Sequence, residues 1–334
     1  PVKQFTEEDL EKIEAEMKKI VKEYFLLKNT FNPQIARNKL FEKIWGRLSK
    51  IPLLRDKTAN FYFRKHETIL QYLENEFEYF LKNYLYDEEI EFDNSNSKII
   101  FSMWIQGEEN APKIVQKTIE SQRSYAERYD YQYVLLDEKN LFNYIDLPEI
   151  IIEKYKNGII DFIKFSDIVR VTLLAKYGGV WLDSTIYLET SEKLEYLEND
   201  FYTIRLKNDE KIPKFVPKGR WTGFCLAGKQ NFILFKFLRD FQIEYFRRFN
   251  VAIDYFLIDY LIELAYRKIK SVNNSINENS ETNPELFFLA TNMSKKYNDH
   301  DWKEVLKNTS LFKCTYKVKI NSNEGTYFNK IIDK

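Results

Sequence analysis

The chain is poor in the residues on which several enzyme classes depend. Its 334 residues include two cysteines, two histidines, nine glycines and eight prolines. Cys225 and Cys314 are too few for a disulfide framework or a cysteine-ligated zinc site, which points to a reducing compartment, by default the cytoplasm. His66 and His300 lie far apart and in no recognisable motif. That disfavours Ser-His-Asp triads and zinc hydrolases, leaving any chemistry to carboxylates, hydroxyls, cations or a bound ion. An excess of one charge is also missing: 51 Lys and Arg face 51 Asp and Glu, which excludes a nucleic-acid binder that relies on bulk attraction. No run approaches the ~18 apolar residues of a membrane-spanning helix, and the opening PVKQFTEED has no apolar secretion-signal core. Neither an anchor nor export is expected.

What is present describes an ordinary globular protein, 44% hydrophobic and 31% charged. At about 150 residues per domain, the length suggests two domains, or one large α/β domain with an appendage. The abundant Tyr, Phe, Lys, Asn and Ile share AT-rich codons, so the aromatic content alone does not argue for carbohydrate stacking.

Residues 6–90 are predicted helical, with Leu10, Ile13, Met17, Ile20, Val21 and Phe25 at three- and four-residue spacing behind a Thr6 to Asp9 capping box. Residues 41–54 form a second apolar stretch. Between Ala36 and His66 stand nine basic residues and two acids, followed by an acidic run over 67–93. Such a segment suits a helix lying on an anionic bilayer, or a solvated face balanced by the acidic helix after it. The composition break at 93–97 (DNSNS) divides an N-terminal helical region, 1–95, from a second domain, 96–334.

From residue 98 strands and helices alternate. Strands are predicted at 98–105, 131–136, 180–183, 185–188, 201–206, 224–227 and 312–320, and helices at 112–129, 141–156, 162–177, 232–249 and 252–268. A Pro/Lys-rich loop covers 211–220 and an Asn/Ser-rich surface loop 271–283. Crossovers of this length indicate a largely parallel sheet flanked by helices, with ligands at the carboxyl ends of its strands.

The informative segment is residues 165–185, FSDIVRVTLLAKYGGVWLDST. On a helical projection apolar residues, Phe162 among them, surround most of 162–177, so the helix should be buried. Ser166, Asp167 and Arg170 nevertheless share about 100° of arc. A buried ion pair on such a helix costs several kcal/mol unless something further engages it. Gly178 and Gly179 end the helix through positive φ, and a very short strand then delivers Asp183 to its carboxyl end. The two halves together describe an acidic, ion-binding spot beside a polar pair suited to hydroxyls.

Here the sequence resembles a family. The SD-x-x-R and LL-x-K-YGG-x-W-x-D-x-T strings and the upstream KIIFSMWIQG are similar to the bacterial capsular-polysaccharide-synthesis glycosyltransferases. These are relatives of the GT-A sugar transferases with a DXD motif, which include glycosyltransferase family 32 and the glucosylating domains of large clostridial toxins. KGRWTGF at 218–224 and IDYFLIDY at 253–260 also look like that family. The resemblance spans about residues 98–327 and implies an α/β fold of GT-A type, Rossmann-like, behind an N-terminal α-helical region. The activity implied is transfer of a hexose from a nucleotide sugar, UDP-linked, to a saccharide acceptor, including lipid-linked intermediates, at the inner face of the membrane.

By that resemblance Asp183 matches the first aspartate of DXD, acting on the donor and its metal. Asp167 and Arg170, with Ser166, match residues that hold the donor sugar, and Trp104 matches an aromatic that stacks on the base. Ser184, Thr185 and Trp221 are further donor-side candidates, and Lys218 and Arg220 candidate diphosphate cations. Thr185 stands where many relatives carry the second aspartate and is a weaker ligand for a hard divalent ion. The expectation is a weak Mn²⁺ or Mg²⁺ site on Asp183 and Thr185, completed by the diphosphate, water and the oxygen-rich 321–327, or else partial replacement of the ion by Lys and Arg. Asp254 and Asp259 stand about 140° apart on one predicted helix. They are therefore not expected to share a site: one would cap the helix and the other would face the acceptor, where a general base suits inversion. The toxin-like relatives imply retention. Competing readings are a toxin-like transferase acting on protein, its N-terminal helices docking the target, and a nucleotide-sugar- or carbohydrate-binding scaffold without turnover.

Overall fold

The structure is a computed structural model and describes residues 6–48, 51–85, 97–207, 214–318 and 324–332. Among the described residues seven strands form two sheets: β1 (Ile99–Met103), β2 (Gln132–Leu136), β3 (Gly179–Leu182), β4 (Ile186–Leu188), β5 (Phe201–Thr203), β6 (Cys225–Gly228) and β7 (Leu311–Lys313). The main sheet has the order β2-β1-β3-β6-β5, and β4 pairs with β7 in a separate ribbon. β2, β1 and β3 run parallel while β6 is antiparallel to both its neighbours, so the sheet is mixed, with one reversed strand. The helices are α1 (Glu7–Thr30), α2 (Pro33–Leu48), α3 (Arg55–Glu76), α4 (Glu78–Leu85), α5 (Lys113–Arg128), α6 (Leu141–Tyr144), α7 (Glu149–Lys156), α8 (Phe162–Tyr177), α9 (Ile233–Arg248), α10 (Leu257–Lys268), α11 (Lys270–Glu278), α12 (Phe288–Asn292) and α13 (Asp299–Leu306). The expected α/β class, mostly parallel sheet and N-terminal helices are all present.

Strand alternation sorts the core into two sides. Phe101, Trp181 and Leu226 face one cluster with α8, α9 and α10, whereas Ile100, Val180, Leu182 and Ala227 face another with α5 and the β4 strand. Among the N-terminal helices, α3 and α4 belong to the first cluster through Ile69, Leu70, Leu73, Phe77 and Leu81. The Phe77 ring packs at a tilt against that of Phe241 of α9, centroids 4.6 Å apart. The helices thus share a core with the sheet domain. The boundary expected at 93–97 lies, except for Ser97, outside the described residues.

Among the described residues the acidic run is not seen to pair with the basic stretch before it. Glu67, Glu74 and Glu76 pair instead with Arg267, Lys268 and Arg248 of α9 and α10. Two of the expected basic residues turn inward. Lys65 lies 2.8 Å from the Asp254 carboxylate, each side chain 1% exposed, and 2.7 Å from Glu42, with Lys39 close by at 3.8 Å from Asp254. Asp254 is not on a helix with Asp259, as the sequence suggested: α10 starts only at Leu257, and Asp254 precedes it, accepting the Phe256 N–H at 3.0 Å. Burial pushes the Asp254 carboxyl up, but Lys65 and Lys39 more than offset this and hold it below the ordinary carboxylate value. Removing Lys65 strands a buried anion, a change that costs about 3–5 kcal/mol. Lys65→Met is therefore expected to lower Tm by roughly 5–15 °C, a loss that Lys65→Met/Asp254→Asn together should largely recover by calorimetry.

Three further elements differ from expectation. Residues 141–156 split into α6 and α7 because Pro148 forms the N-cap of α7. The expected loop 271–283 is largely α11, whose Val272 and Ile276 are buried one turn apart. Phe162, placed in the core by periodicity, is exposed at the first turn of α8, as is Ile163 beside it.

Candidate active site

The chain passes from β1 to β2 on one side and returns to β3 on the other side of β1. Loops leaving two such strands diverge and open a crevice at their carboxyl ends. Trp104 follows β1 and Asp183 follows β3, and both line a cleft of about 570 Å³, a size in the range of ~300–1,000 Å³ common for small-ligand sites. Helix α8 presents Phe162, Ile163, Ser166, Asp167 and Arg170 to the cleft, a stripe at helical spacing. Ser184 and Thr185 line it after Asp183, Tyr255 and Phe256 just before α10 and Ile258 and Asp259 in its first turn contribute, and Lys313 to Lys317 come from the end of β7.

Local sequence explains the placement of the two halves. The Asp161 carboxylate caps α8 by accepting the Lys164 N–H at 2.8 Å. At the other end Gly178 and Gly179 take φ +67° and +84°. A Cβ there would lie 2.5 Å from the Gln230 nitrogen and from the Ile99 backbone oxygen, respectively. Only glycine allows the abrupt passage from α8 into β3. The turn after β3 is then pinned from α5. Gln122 donates to the carbonyls of Asp183 (3.0 Å) and Ile186 (2.8 Å), and Thr118 donates to that of Ser184 (2.5 Å). Both side chains are buried, and neither was singled out from sequence, since a Gln or Thr on an amphipathic helix carries no signal of its partner.

Asp183 is the hub of the site. Its Oδ1 accepts the Trp181 indole N–H at 3.0 Å and lies 3.6 Å from Arg170 Nη2, and its Oδ2 lies 2.7 Å from Lys313 Nζ. Burial pushes this carboxyl up, but Lys313 and then Arg170 overcome the effect and leave it below the ordinary value. Arg170 also meets Asp167 at 3.2 Å, donates to the Gly223 carbonyl and lies over the Trp181 ring. Asp167 is raised, because its burial outweighs the attraction of Arg170. Asp259 accepts the Trp221 indole N–H at 2.9 Å and is pushed up to about 7, chiefly by burial against the partial relief of that bond. Two groups lining the cleft are buried and have no hydrogen-bond partner among the described residues, the Trp104 indole N–H and the Arg170 Nε–H. The Trp104 ring meets Tyr316 edge to face at 5.3 Å.

Of the residues singled out from sequence, Trp104, Ser166, Asp167, Arg170, Asp183, Ser184, Thr185 and Asp259 come together in this cleft. Four do not line it. Trp221 is buried and acts on the cleft only through Asp259. Asp254 is spent on Lys65. The loop holding Lys218 and Arg220 turns away: Arg220 pairs with Glu263 between the Trp221 and Tyr266 rings, and Lys218 lies over Phe63. Neither lines the cleft. Lys313 takes up the position no motif announced, brought to Asp183 by the pairing of β7 with β4.

Among the described residues the donor set does not suit a divalent cation. Hard ions take six or more oxygens, whereas both Asp183 oxygens are engaged and Thr185 offers a neutral hydroxyl. No group of three His, Cys, Asp or Glu side chains among the described residues is placed to hold a metal ion. Of the oxygen-rich 321–327, residues 321–323 lie outside the described residues and 324–327 do not line the cleft.

No helix among the described residues is long and apolar enough to cross a membrane. No curated protein matches the chain in sequence. Among solved structures it is similar to one titled "PaToxG Glycosyltransferase", at a TM-score of 0.36 and 14% identity, over 64% of this chain and 83% of that one. Residues 50–331 match the family described as "Capsular polysaccharide synthesis protein", from the end of the α2 region through the cleft to the C-terminal segment. The chain belongs to the capsular polysaccharide synthesis protein family.

Proposed function

We propose that the chain is a glycosyltransferase that moves a hexose from a nucleotide sugar, UDP-linked, to a saccharide acceptor of a capsule or surface polysaccharide. The observation that carries this reading is the meeting of Asp167, Arg170 and Asp183 in one cleft at the switch point of the sheet. A buried ion pair without further work would be a poor use of an otherwise apolar helix; hydroxyls of a donor sugar give Ser166, Asp167 and Arg170 that work. The unpartnered Trp104 N–H at the end of β1 suits a polar edge of the nucleotide.

On the acceptor side five large side chains, Phe162, Ile163, Tyr255, Phe287 and Tyr316, line the cleft while each is more than 40% exposed. Aromatic faces at a cleft mouth stack on sugar rings and also tolerate a lipid carrier. Asp259, with its carboxyl held near neutrality, is the base for the acceptor hydroxyl, which goes with inversion. Retention, implied by the toxin-like relatives, leaves that proton to the departing diphosphate, and the anomeric configuration of the product by NMR separates the two. Contact with a membrane surface through residues 36–66 belongs to the same reading and is supported by the exposed Phe41, Ile44 and Leu53 beside the basic residues there.

The test is a thermal-shift panel of nucleotide sugars, followed by assay of released nucleoside diphosphate with oligosaccharide, lipid-linked and protein acceptors. Ligands that bind only the native state raise Tm in step with affinity. One nucleotide sugar is expected to shift Tm by several degrees and to release its diphosphate when a saccharide acceptor is added. Binding without release under any acceptor would identify a scaffold instead.

A further inference from the structure

We propose that Lys313, held by Asp183, supplies the positive charge that stabilises the departing diphosphate, so that transfer by this chain needs no divalent cation. The inference rests on the glycosyltransferase reading and deepens it. In that reaction the bond from the anomeric carbon to the diphosphate oxygen breaks with its electron pair going to the diphosphate. The acceptor oxygen forms the new bond to that carbon, and its proton passes to Asp259. Negative charge therefore grows on the diphosphate, and a site must offset it with fixed cations or a metal.

The cleft is already equipped with fixed cations. Lys313 Nζ stands 2.7 Å from Asp183 Oδ2 with its side chain 21% exposed, above the Phe224 ring at 4.7 Å. Its strand is tied down on two sides: Lys313 pairs with Ile186 across the ribbon and its N–H donates to the Leu286 carbonyl at 2.8 Å. The ammonium is thus preorganised rather than swinging on a free stem, which removes much of the entropy that usually weakens a lysine contact. Arg170 lines the same cleft and approaches the other oxygen of Asp183. Together the two supply two positive charges, the number a divalent ion would bring. A metal on Asp183 would have to displace the ammonium, and the residue two positions on, Thr185, offers it a neutral hydroxyl where a second acid would stand, while Asp167 is held by Arg170 and Asp259 by the Trp221 indole. Thr185 is in this light a consequence of Lys313: a second carboxylate is superfluous where the cation is covalently part of the chain.

The full chain, treated with EDTA and freed of metal, is assayed for nucleoside diphosphate release beside the same protein with added Mn²⁺, and UDP binding is followed by thermal shift under both conditions. The metal-free protein is expected to keep more than half of the turnover seen with Mn²⁺, and UDP to raise Tm in EDTA. Lys313→Met should lower turnover by more than tenfold and remove the UDP shift, with Lys313→Arg recovering part of both. Turnover below half in EDTA that Mn²⁺ restores, a UDP shift that requires Mn²⁺, or a smaller loss in Lys313→Met would overturn the proposal and leave the transferase reading in place. Failure of every nucleotide and nucleotide sugar to shift Tm, with or without Mn²⁺, would instead remove the transferase reading itself. The wild-type comparison stands even if a variant does not fold.

Discussion

Asp183→Asn should lower sugar transfer by about a thousandfold while leaving the fold in place. The size follows from what the carboxylate holds. It fixes Lys313 through Oδ2 and stands beside Arg170 through Oδ1, and removing one preorganised charge-stabilising group from an active site typically costs about 10²–10³ in kcat. Because the lost carboxylate orients two cations at once, the upper end applies. The fold should survive for reasons equally local. Asparagine keeps an oxygen for the Trp181 indole N–H, and the backbone of residue 183 remains held by Gln122 and by the Phe224 carbonyl. Arg170 keeps Asp167 and the Gly223 carbonyl, and Lys313 is exposed enough to reach water. Stability should also become less sensitive to acid. A carboxyl held below its ordinary value stabilises the fold above its unfolded pKa, and that contribution is lost as the pH falls through the folded value. The difference in Tm between wild type and variant should thus shrink toward low pH. Undiminished transfer by a folded Asp183→Asn protein would refute the assignment.

How much of this was legible beforehand depends on the range of the interactions. The bounds of helix α8 were legible because its apolar run and its Gly178 terminus are local, though the exposure of Phe162 was not. Asp183 at the end of a short strand follows from the same stretch. The separation of Asp254 from Asp259 was expected from their angle on one helix, whereas the chain before Leu257 is not part of α10 and places Asp254 beside Lys65, almost two hundred residues earlier. Helix α11 shows burial overruling composition, its Asn- and Ser-rich sequence made helical by Val272 and Ile276 against the core. Pro148 did carry a local signal for the break between α6 and α7. Lys313 carried none, because its role exists only once β7 has paired with β4 and closed over a turn 130 residues upstream. Lys218 and Arg220 make the complementary case, basic residues in a suggestive loop whose charges are committed to Glu263 and to aromatic rings.

Asp259→Asn should cut kcat by about 10²–10⁴, the range that a positioned general base contributes, and should change the form of the pH profile. The carboxyl of Asp259 is pushed up to about 7, and only its ionised form accepts a proton. For the wild type kcat/KM should therefore rise with pH up to about 7 and level off above it, whereas the residual activity of the variant should lack that rise. The same substitution should stabilise the protein where it disables it. A carboxyl raised above its unfolded value makes the folded state bind more protons than the unfolded one, so between the two values stability falls as the pH rises. Above pH 7 the native protein carries the whole cost of a buried charge, which the neutral amide removes, while the Trp221 indole N–H keeps an oxygen to donate to. Asp259→Asn should accordingly melt at a higher temperature than wild type at pH 8 and at nearly the same temperature at pH 4. A residue that merely capped or packed would lose stability on substitution and leave the pH profile unmoved; higher Tm together with lost turnover is what a strained catalytic carboxylate predicts.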